Sequence, residues 1–576
     1  MIKKLKERLK LIATAEDKAT EEFFAVVRFR TVRGLFRTKQ FPLAALDDMK
    51  ELRRELINRG AYFAPDSEDA FSSIRALQMA KDRAQHWTYA KTLGWTGDKF
   101  VRAKGVVGQQ TQGSLLKPPR VVHPAAKKMG KSGTLSGWRR HVAKPAAQSS
   151  RMVTAICAGF AAPLLKFTDI GSFALFFTGP SKVGKSTLTL AAGSVIGFGT
   201  ESSLPNFRST VAALGELPGQ FNDHVLPLNE SGLARGTHKE QRQTMREFAF
   251  GMAEGRGTTY SRFSPAGNAG QDEYRSILVA NGEVSSDELA LKAGEYRLAG
   301  ECSRWMDVPA VEGGSPDSFD LGPELDTVKR AAWFRSTCVD IRRGCRLHRG
   351  VAGRHFVRNV IERRKTIPPE LIKLRNLFVS AVAQGETDQV VLHVAKNFGH
   401  LYAAGVLAVQ FKTVPWSEKH VMTCISRSFR AARREIKTEV ELRRRSLLRL
   451  KAKAKSRTTL LDQQHKGRSL KSADGYRRND KDKTVVTVRA EAFKRWFNDP
   501  RQPRLVLDDL RKNGRLTCSG SPGHGQSIKW AESQPTWPDG TRPRSIVITF
   551  RPALRPTVRM ATHLCPRQPG SRRPPR

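Results

Sequence analysis

An α/β fold, centred on a parallel sheet flanked by helices, follows from three features of the 576-residue sequence. Residues 174 to 187 read ALFFTGPSKVGKST: an apolar run, a glycine-bounded loop ending in Gly-Lys-Ser, and the start of an alanine- and leucine-rich helix. From 150 to 310, apolar runs of strand length alternate with helical stretches, the order that builds a parallel sheet. From 325 to 435 the chain reads helical throughout, with apolar residues at helix spacing in ELIKLRNLFVSAV and HVAKNFGHLYAAGVLAVQF. The expected class is a P-loop NTPase core accompanied by an N-terminal α+β module, a helical domain and a C-terminal winged-helix-like domain.

The loop carries the strongest signal. Gly179 and Gly184 let the backbone turn inward after the strand Ala174 to Thr178, so that successive N–H groups and the following helix N-terminus converge on an anion. The loop residues Gly179, Pro180, Ser181, Lys182, Val183, Gly184, Lys185, Ser186 and Thr187 are the expected nucleotide contacts. Lys185 reaches the β- and γ-phosphates of ATP, and the Ser186 hydroxyl ligates Mg²⁺.

Composition sets the partners. The length allows roughly three to five structural units. An apolar fraction of 39% and a mean hydropathy of −0.45 describe a soluble chain. Lys and Arg number 100 against 54 Asp and Glu, a formal charge of +46. Such self-repulsion calls for a polyanion, and nucleic acid, DNA in the first instance, is the expected one; an anionic membrane surface is the competing explanation. The seven cysteines are scattered and never spaced two apart, so neither a disulfide framework nor a zinc site is expected. The longest apolar stretch, Met152 to Leu165, is too short to cross a bilayer and reads as a buried helix. The N-terminus mixes charges and does not read as a secretory signal, and a reducing cytoplasm fits these features.

The elements follow in order. Residues 1–90 form the α+β module: FFAVVRFRTVRGLFR alternates as strands do, and Met49, Leu52 and Leu56 mark a helix that ends at Gly60. Residues 91–149, rich in Gly, Lys, Ser and Pro, read as an irregular connection. The ATPase core covers 150–310 and the helical domain 311–435. Residues 436–483 form a basic helix and linker. Between Arg427 and Arg457 there are thirteen Lys or Arg against three Glu on one long helix-prone segment, either a nucleic-acid contact or a solvated charged helix. Residues 484–550 give strand, helix, helix and two or three strands, a winged-helix order that serves DNA reading or protein contact. The tail, 551–576, contains seven Arg and no acid and is expected to be disordered.

Hydrolysis needs a metal-orienting group and a base for water on a neighbouring strand. In HVLPLNE the run Val225 to Leu228 leads to Asn229 and Glu230, where most such enzymes place two acids. Glu230 is the expected general base. Asn229 is a metal candidate without charge, and a unit charge at about 4 Å is worth on the order of 4 kcal/mol at an effective dielectric near 20. Asp223 is the substitute metal candidate. In YRSILVANGE, Asn281 ends a third strand as a sensor of the γ-phosphate or lytic water, or else forms an Asn-Gly turn. Arg297 and Arg304 follow, and Arg304 is the candidate for an arginine delivered across a subunit interface.

The succession SGWRRHVA, AGFAAPLL, FFTGPSKVGKST, FNDHVLPLNE, MAEGRGTTYSR, YRSILVANGE and AGECSRWMDVPA resembles the bacterial family catalogued as domain of unknown function 927. The likeness runs, more loosely, from about Phe23 through LGWTGDKFV to GHLYAAGVLAVQF. The resemblance implies a helicase-like P-loop ATPase of the kind frequent on prophages and integrated elements. It carries Gly179, Gly184, Lys185 and Ser186 as the phosphate loop, Asn222 and Asp223 as an Asn-Asp pair, and Glu230 as the terminal acid. Gly255, Arg275, Gly282, Glu283 and Arg304 also fall on family-like positions. Two residues depart from the pattern and bear on catalytic competence: Asn229 replaces an Asp, and Thr258 stands where a Lys is common.

The function expected from these features is a cytoplasmic DNA-dependent ATPase, a ring helicase or primase-associated replication factor of a mobile element, homo-oligomeric and in its ring form hexameric. The alternative is a nucleotide-gated nucleic-acid-binding protein with little or no hydrolysis, acting as a loader, repressor or packaging adaptor. A small-molecule kinase using the same loop would need no excess charge.

Overall fold

The computed structural model describes residues 9–63, 67–108, 114–120, 122, 124–208, 210–256, 273–312, 314–456, 459–462, 473–480, 482–518 and 527–551. It divides into two compact units, residues 1–436 and 437–576. The fold is mixed α/β, with a parallel sheet and many helices.

The first unit begins with β1 (Leu9–Asp17), β2 (Glu22–Arg30), β3 (Phe36–Pro42), α1 (Met49–Asn58), α2 (Ser67–Met79) and β4 (Gln85–Tyr89). β1 alternates buried and less buried residues along its length, as a strand covered on one face must. α1 starts at Asp48, whose carboxylate accepts from the Lys50 and Glu51 amides, and it buries Leu52 and Leu56. Residues 91–149, expected to be irregular, instead contain β5 (Gly94–Thr96), β6 (Lys99–Arg102), β7 (Gly105–Val107) and β8 (Leu115–Lys117). Strands of three or four residues are too short to show a period, so composition alone reads them as loop. β5, β6 and β7 form their own sheet, and β8 closes the sheet ordered β3-β2-β1-β4-β8.

The centre of the unit is α3 (Ser150–Ala161), β9 (Phe173–Thr178), α4 (Lys185–Ile196), β10 (His224–Leu228), α5 (His238–Glu254), β11 (Ser276–Gly282) and β12 (Trp305–Pro309). The four strands are all parallel, ordered β10-β11-β9-β12. They are buried on both faces, which is why they read as continuous apolar runs. Pro227 is tolerated because β10 is an edge strand. Ser150–Phe167 is the one segment among the described residues long and apolar enough to span a membrane, and 89% of it is buried inside the fold. Five helices follow: α6 (Thr327–Leu347), α7 (Val351–Glu362), α8 (Ile367–Val382), α9 (Gln389–Gln410) and α10 (Glu418–Glu435).

The basic stretch Arg427–Arg457, expected as one helix, is two. α10 stops at Ile436, which is extended, and α11 (Glu439–Lys455) restarts at Thr438, whose hydroxyl accepts from the Glu441 amide. The Thr-x-x-Glu pattern is a helix-start signal that the charge run obscures.

The second unit holds α11, β13 (Leu460–Asp462), β14 (Gly475–Asp480), β15 (Lys483–Arg489), the short helix Ala490–Arg495, α12 (Gln502–Lys512), β16 (Leu516–Thr517) and β17 (Ser545–Phe550). From β15 onward the order is strand, helix, helix, strand, strand, but β13 and β14 extend the sheet to β13-β14-β15-β17-β16. α11 buries Leu442, Ser446, Leu450 and Ala454, one face at four-residue spacing, and Arg443 pairs with Asp509 of α12. Its outer face leaves Arg444, Arg445, Lys451 and Lys455 exposed. The basic tail beyond Arg551, and Thr258, lie outside the described residues.

Candidate functional site

All four core strands point the same way, so the loops after their C-terminal ends gather at one edge of the sheet, where ligands of open parallel sheets bind. β9 leads into the loop Gly179–Gly184 and then α4. The loop is pinned on both sides: the Gly179 amide donates to the Gly282 carbonyl (3.3 Å) and the Ser318 amide to the Val183 carbonyl (3.1 Å). Gly184 has φ +100°, and a Cβ there would lie 2.6 Å from Ser318 Oγ. Only glycine fits that turn. Ser318 Oγ is itself buried without a hydrogen-bond partner. Lys182 also adopts a positive φ, 63°.

Lys185 opens α4 and is 6% exposed. Its Nζ donates to the carbonyls of Gly179 (2.8 Å) and Pro180 (2.6 Å). The ammonium is therefore folded back over the loop. Burial holds its pKa below the ordinary lysine value, while the carboxylates of Glu283 and Glu230 act in the opposite direction. Ser186, in the first turn of α4, is half-buried, whereas Thr187 is buried with its hydroxyl 3.5 Å from Glu201 Oε1, away from the loop.

Asn281 joins the strand ends. Its Oδ1 accepts from the Glu230 amide (3.3 Å), and its Nδ2 donates to Thr189 Oγ1 (2.8 Å) and Asn229 Oδ1 (2.7 Å). The Thr189 hydroxyl in turn donates to the Lys185 carbonyl (3.2 Å). Asn281 is fully buried and its amide is occupied on both ends, so it holds Glu230 and α4 in register. The Asn-Gly turn reading fails here, because Asn281 and Gly282 are the last residues of β11. Gly282 is required at that place: a Cβ would sit 2.0 Å from Ser231 Oγ and 2.7 Å from the Phe176 ring. Glu230 has φ 57°, a conformation costly for a side chain with a Cβ, and is half-buried.

Asp223 does not join this group. It precedes β10, so roughly 15–20 Å of strand separate it from Asn229. Its carboxylate accepts from the Trp95 amide (2.9 Å) and Arg275 Nε (2.9 Å). Asn222 donates to the Leu93 carbonyl (2.9 Å) and accepts from the Arg275 amide (3.0 Å). The Asn-Asp pair and Arg275 thus lock the β5–β6–β7 sheet onto the N-terminal edge of the core, and Asp223 is unavailable to a metal near Ser186. Arg297 is buried against Asp307 (3.2 Å) in an internal ion pair. Arg304 also lies at the N-terminal end of its strand, its guanidinium 4.8 Å over the Phe250 ring and donating to the Gly300 carbonyl (2.9 Å). It is remote from the loop of its own chain.

Sequence reasoning assigned no role to Thr189 or Ser318, which carry no motif letter, or to Glu283, which follows the Asn-Gly pair. Among the described residues no three His, Cys, Asp or Glu cluster as a metal cage. A divalent ion here would rest on the Ser186 hydroxyl, an acid such as Glu230 or Glu283, and the ligand's own oxygens, the pattern of Mg²⁺ at nucleotide sites.

A solved structure described as "SCCmec type IV Cch - active helicase" is similar in fold, at 14% identity and a TM-score of 0.59, covering 94% of this chain and 93% of that one. Another, "The apo structure of NrS-1 C terminal region (305-718)", is 10% identical over 74% of this chain and 92% of that one, with a TM-score of 0.25. No curated protein matches the chain. A family model described as Domain of unknown function (DUF927) matches residues 3–269 of the chain.

Proposed function

We propose that the protein is a nucleic-acid-dependent ATPase of helicase type. The observation that carries this reading is the meeting of four features at one edge of a parallel sheet: the Gly179–Gly184 loop, Lys185, the Asn281 network and the strand-end acids. The α4 N-terminus and the loop amides favour a triphosphate, and Lys185, released from the loop carbonyls, would take its outer phosphates. Ser186 would hold the Mg²⁺, which when bound neutralises charge developing on the transferred phosphoryl group. Glu230, held through its amide by Asn281, would accept a proton from water, and Glu283 would set the field around Lys185.

The +46 charge supports a nucleic-acid partner, DNA in the first instance, and the fold likeness supports helicase action. A ring of copies, each supplying Arg304 to a neighbour's loop, fits an arginine remote from its own loop. Replication of a prophage or mobile element, in the cytoplasm, is the setting this reading favours. The test is ATP hydrolysis with and without single-stranded DNA across a salt series. Stimulation that fades with salt supports the proposal, and a rate indifferent to DNA at every salt concentration defeats it.

One observation favours a second reading. Asn229 brings no charge, and its carbonyl already accepts from Asn281. A nucleotide-gated binder with little hydrolysis then predicts a large gain in turnover for Asn229→Asp, and an enzyme already competent predicts little change.

A further inference from the structure

An open groove of about 590 Å³ lies between the helical segment Leu135–Ala146 and one face of α6. Its walls carry Arg140, His141, Lys144 and Arg343, with Asp340 the acid among them. α6 divides its faces cleanly. Thr337, Asp340, Gly344 and Leu347 line the groove, while Cys338, Ile341 and Cys345 are buried in the core.

The groove's cations are not used by the fold. Arg140, Lys144 and Arg343 are exposed, and among the described residues none of them makes an ion pair or side-chain hydrogen bond. Two other arginines of α6 are paired, Arg330 with Asp317 (2.9 Å) and Arg342 with Glu201 (2.7 Å). Three like charges converging on one concave surface raise its potential and concentrate anions there. No Phe, Tyr or Trp lines it, and the ring of His141 is stacked on His348 (ring centroids 5.7 Å apart), so charge and not base stacking dominates its walls.

We infer that this groove holds the sugar-phosphate backbone of a single nucleic-acid strand, contacted without regard to sequence by Arg140, Lys144 and Arg343. The inference rests on the nucleic-acid partner of the proposed function and names where that partner sits. α6 also brings Phe334 against the turn at Gly184, so one helix borders both the strand and the nucleotide loop.

The experiment is fluorescence anisotropy of a labelled oligothymidylate with the full chain at several salt concentrations. The R140A/K144A/R343A variant is expected to bind at least tenfold more weakly at low salt. Its slope of log K against log salt should flatten by about 2, at roughly 0.7 per lost single-strand phosphate contact. Asp340→Asn is expected to tighten binding two- to threefold, a gain that a misfolded protein does not give. A K39A/K50A/R54A variant removes three exposed charges from the N-terminal module and controls for net charge. If the groove variant loses no more affinity than this control, or Asp340→Asn leaves affinity unchanged, the groove assignment is overturned while the nucleic-acid reading stands. If the wild-type chain binds no oligothymidylate, the partner itself is wrong. Binding of duplex but not of the single strand overturns the stated occupant.

Discussion

Replacing Asn281 by alanine tests whether one buried amide organises the strand ends. The change removes three hydrogen bonds, to Glu230 N, Thr189 Oγ1 and Asn229 Oδ1, from a side chain with no exposure. At about 1 kcal/mol net for each, and with half-buried Glu230 and Asn229 able to recruit water, the expected loss is about 2–3 kcal/mol. At roughly 1 °C per kcal/mol for a cooperative unit of this size, the melting temperature should fall by about 2–3 °C. The catalytic effect should be larger and of a different kind. Among the described residues the Asn281 side chain makes no hydrogen bond to Gly179–Gly184, so a fluorescent ATP analogue should bind within about threefold of wild type, while hydrolysis falls ten- to hundredfold as Glu230 loses its orientation. Differential scanning fluorimetry, nucleotide titration and steady-state hydrolysis on the same preparation check it. A variant that melts and turns over like wild type would refute the reasoning, as would one whose nucleotide affinity falls as far as its turnover.

Glu230 stores strain, since a left-handed backbone costs a residue with a Cβ on the order of 1–3 kcal/mol. Glu230→Gly should therefore raise the free energy of unfolding by about 1 kcal/mol in urea titration while abolishing hydrolysis, and a destabilised or fully active variant counts against the assignment. Arg275→Ala leaves the Asp223 carboxylate buried without its cation, which should cost about 3 kcal/mol in a thermal melt with nucleotide affinity unchanged; a matching loss of nucleotide affinity would return Asp223 to the site. Burial pushes the pKa values of His224 and His400 down to about 4. Both bind a proton more readily when unfolded, so their contribution, on the order of 3 kcal/mol each, is complete above about pH 6.5 and lost as pH falls toward 4. Urea midpoints should drop between pH 7 and pH 5, by less in His400→Gln, and equal midpoints at both pH values would contradict this.

The loop and the strands carrying it were legible because a double-sided parallel strand leaves an uninterrupted apolar run and a phosphate loop has fixed letters, as in ALFFTGPSKVGKST. Glu230 and Asn281 were legible for the same reason, since each follows such a run. Their linkage was not: the Glu230 amide donates to the Asn281 side chain across 51 positions of sequence, and Asn281 is tied to α4 through Thr189, an unremarkable residue 92 positions away. Asp223 misleads at the level of sequence: an acid close before an apolar run suggests a metal ligand, and only the strand direction sends it to the far edge. The break at Ile436–Thr438 was hidden under a charge run whose composition is the same in one helix or two. The DUF927 match ends at residue 269, ahead of Asn281 and Glu283, so the family model does not reach half of the strand-end network.

The account stands on a triphosphate held by the loop and by Lys185. Titration of a fluorescent ATP analogue, with Mg²⁺, into the wild-type chain and Lys185→Ala measures this directly. Saturable binding by the wild-type chain that weakens at least about a hundredfold in the variant is the predicted result, near the 3 kcal/mol expected for a buried charge-assisted contact. Equal affinity in the two proteins, or no binding by either, would contradict it.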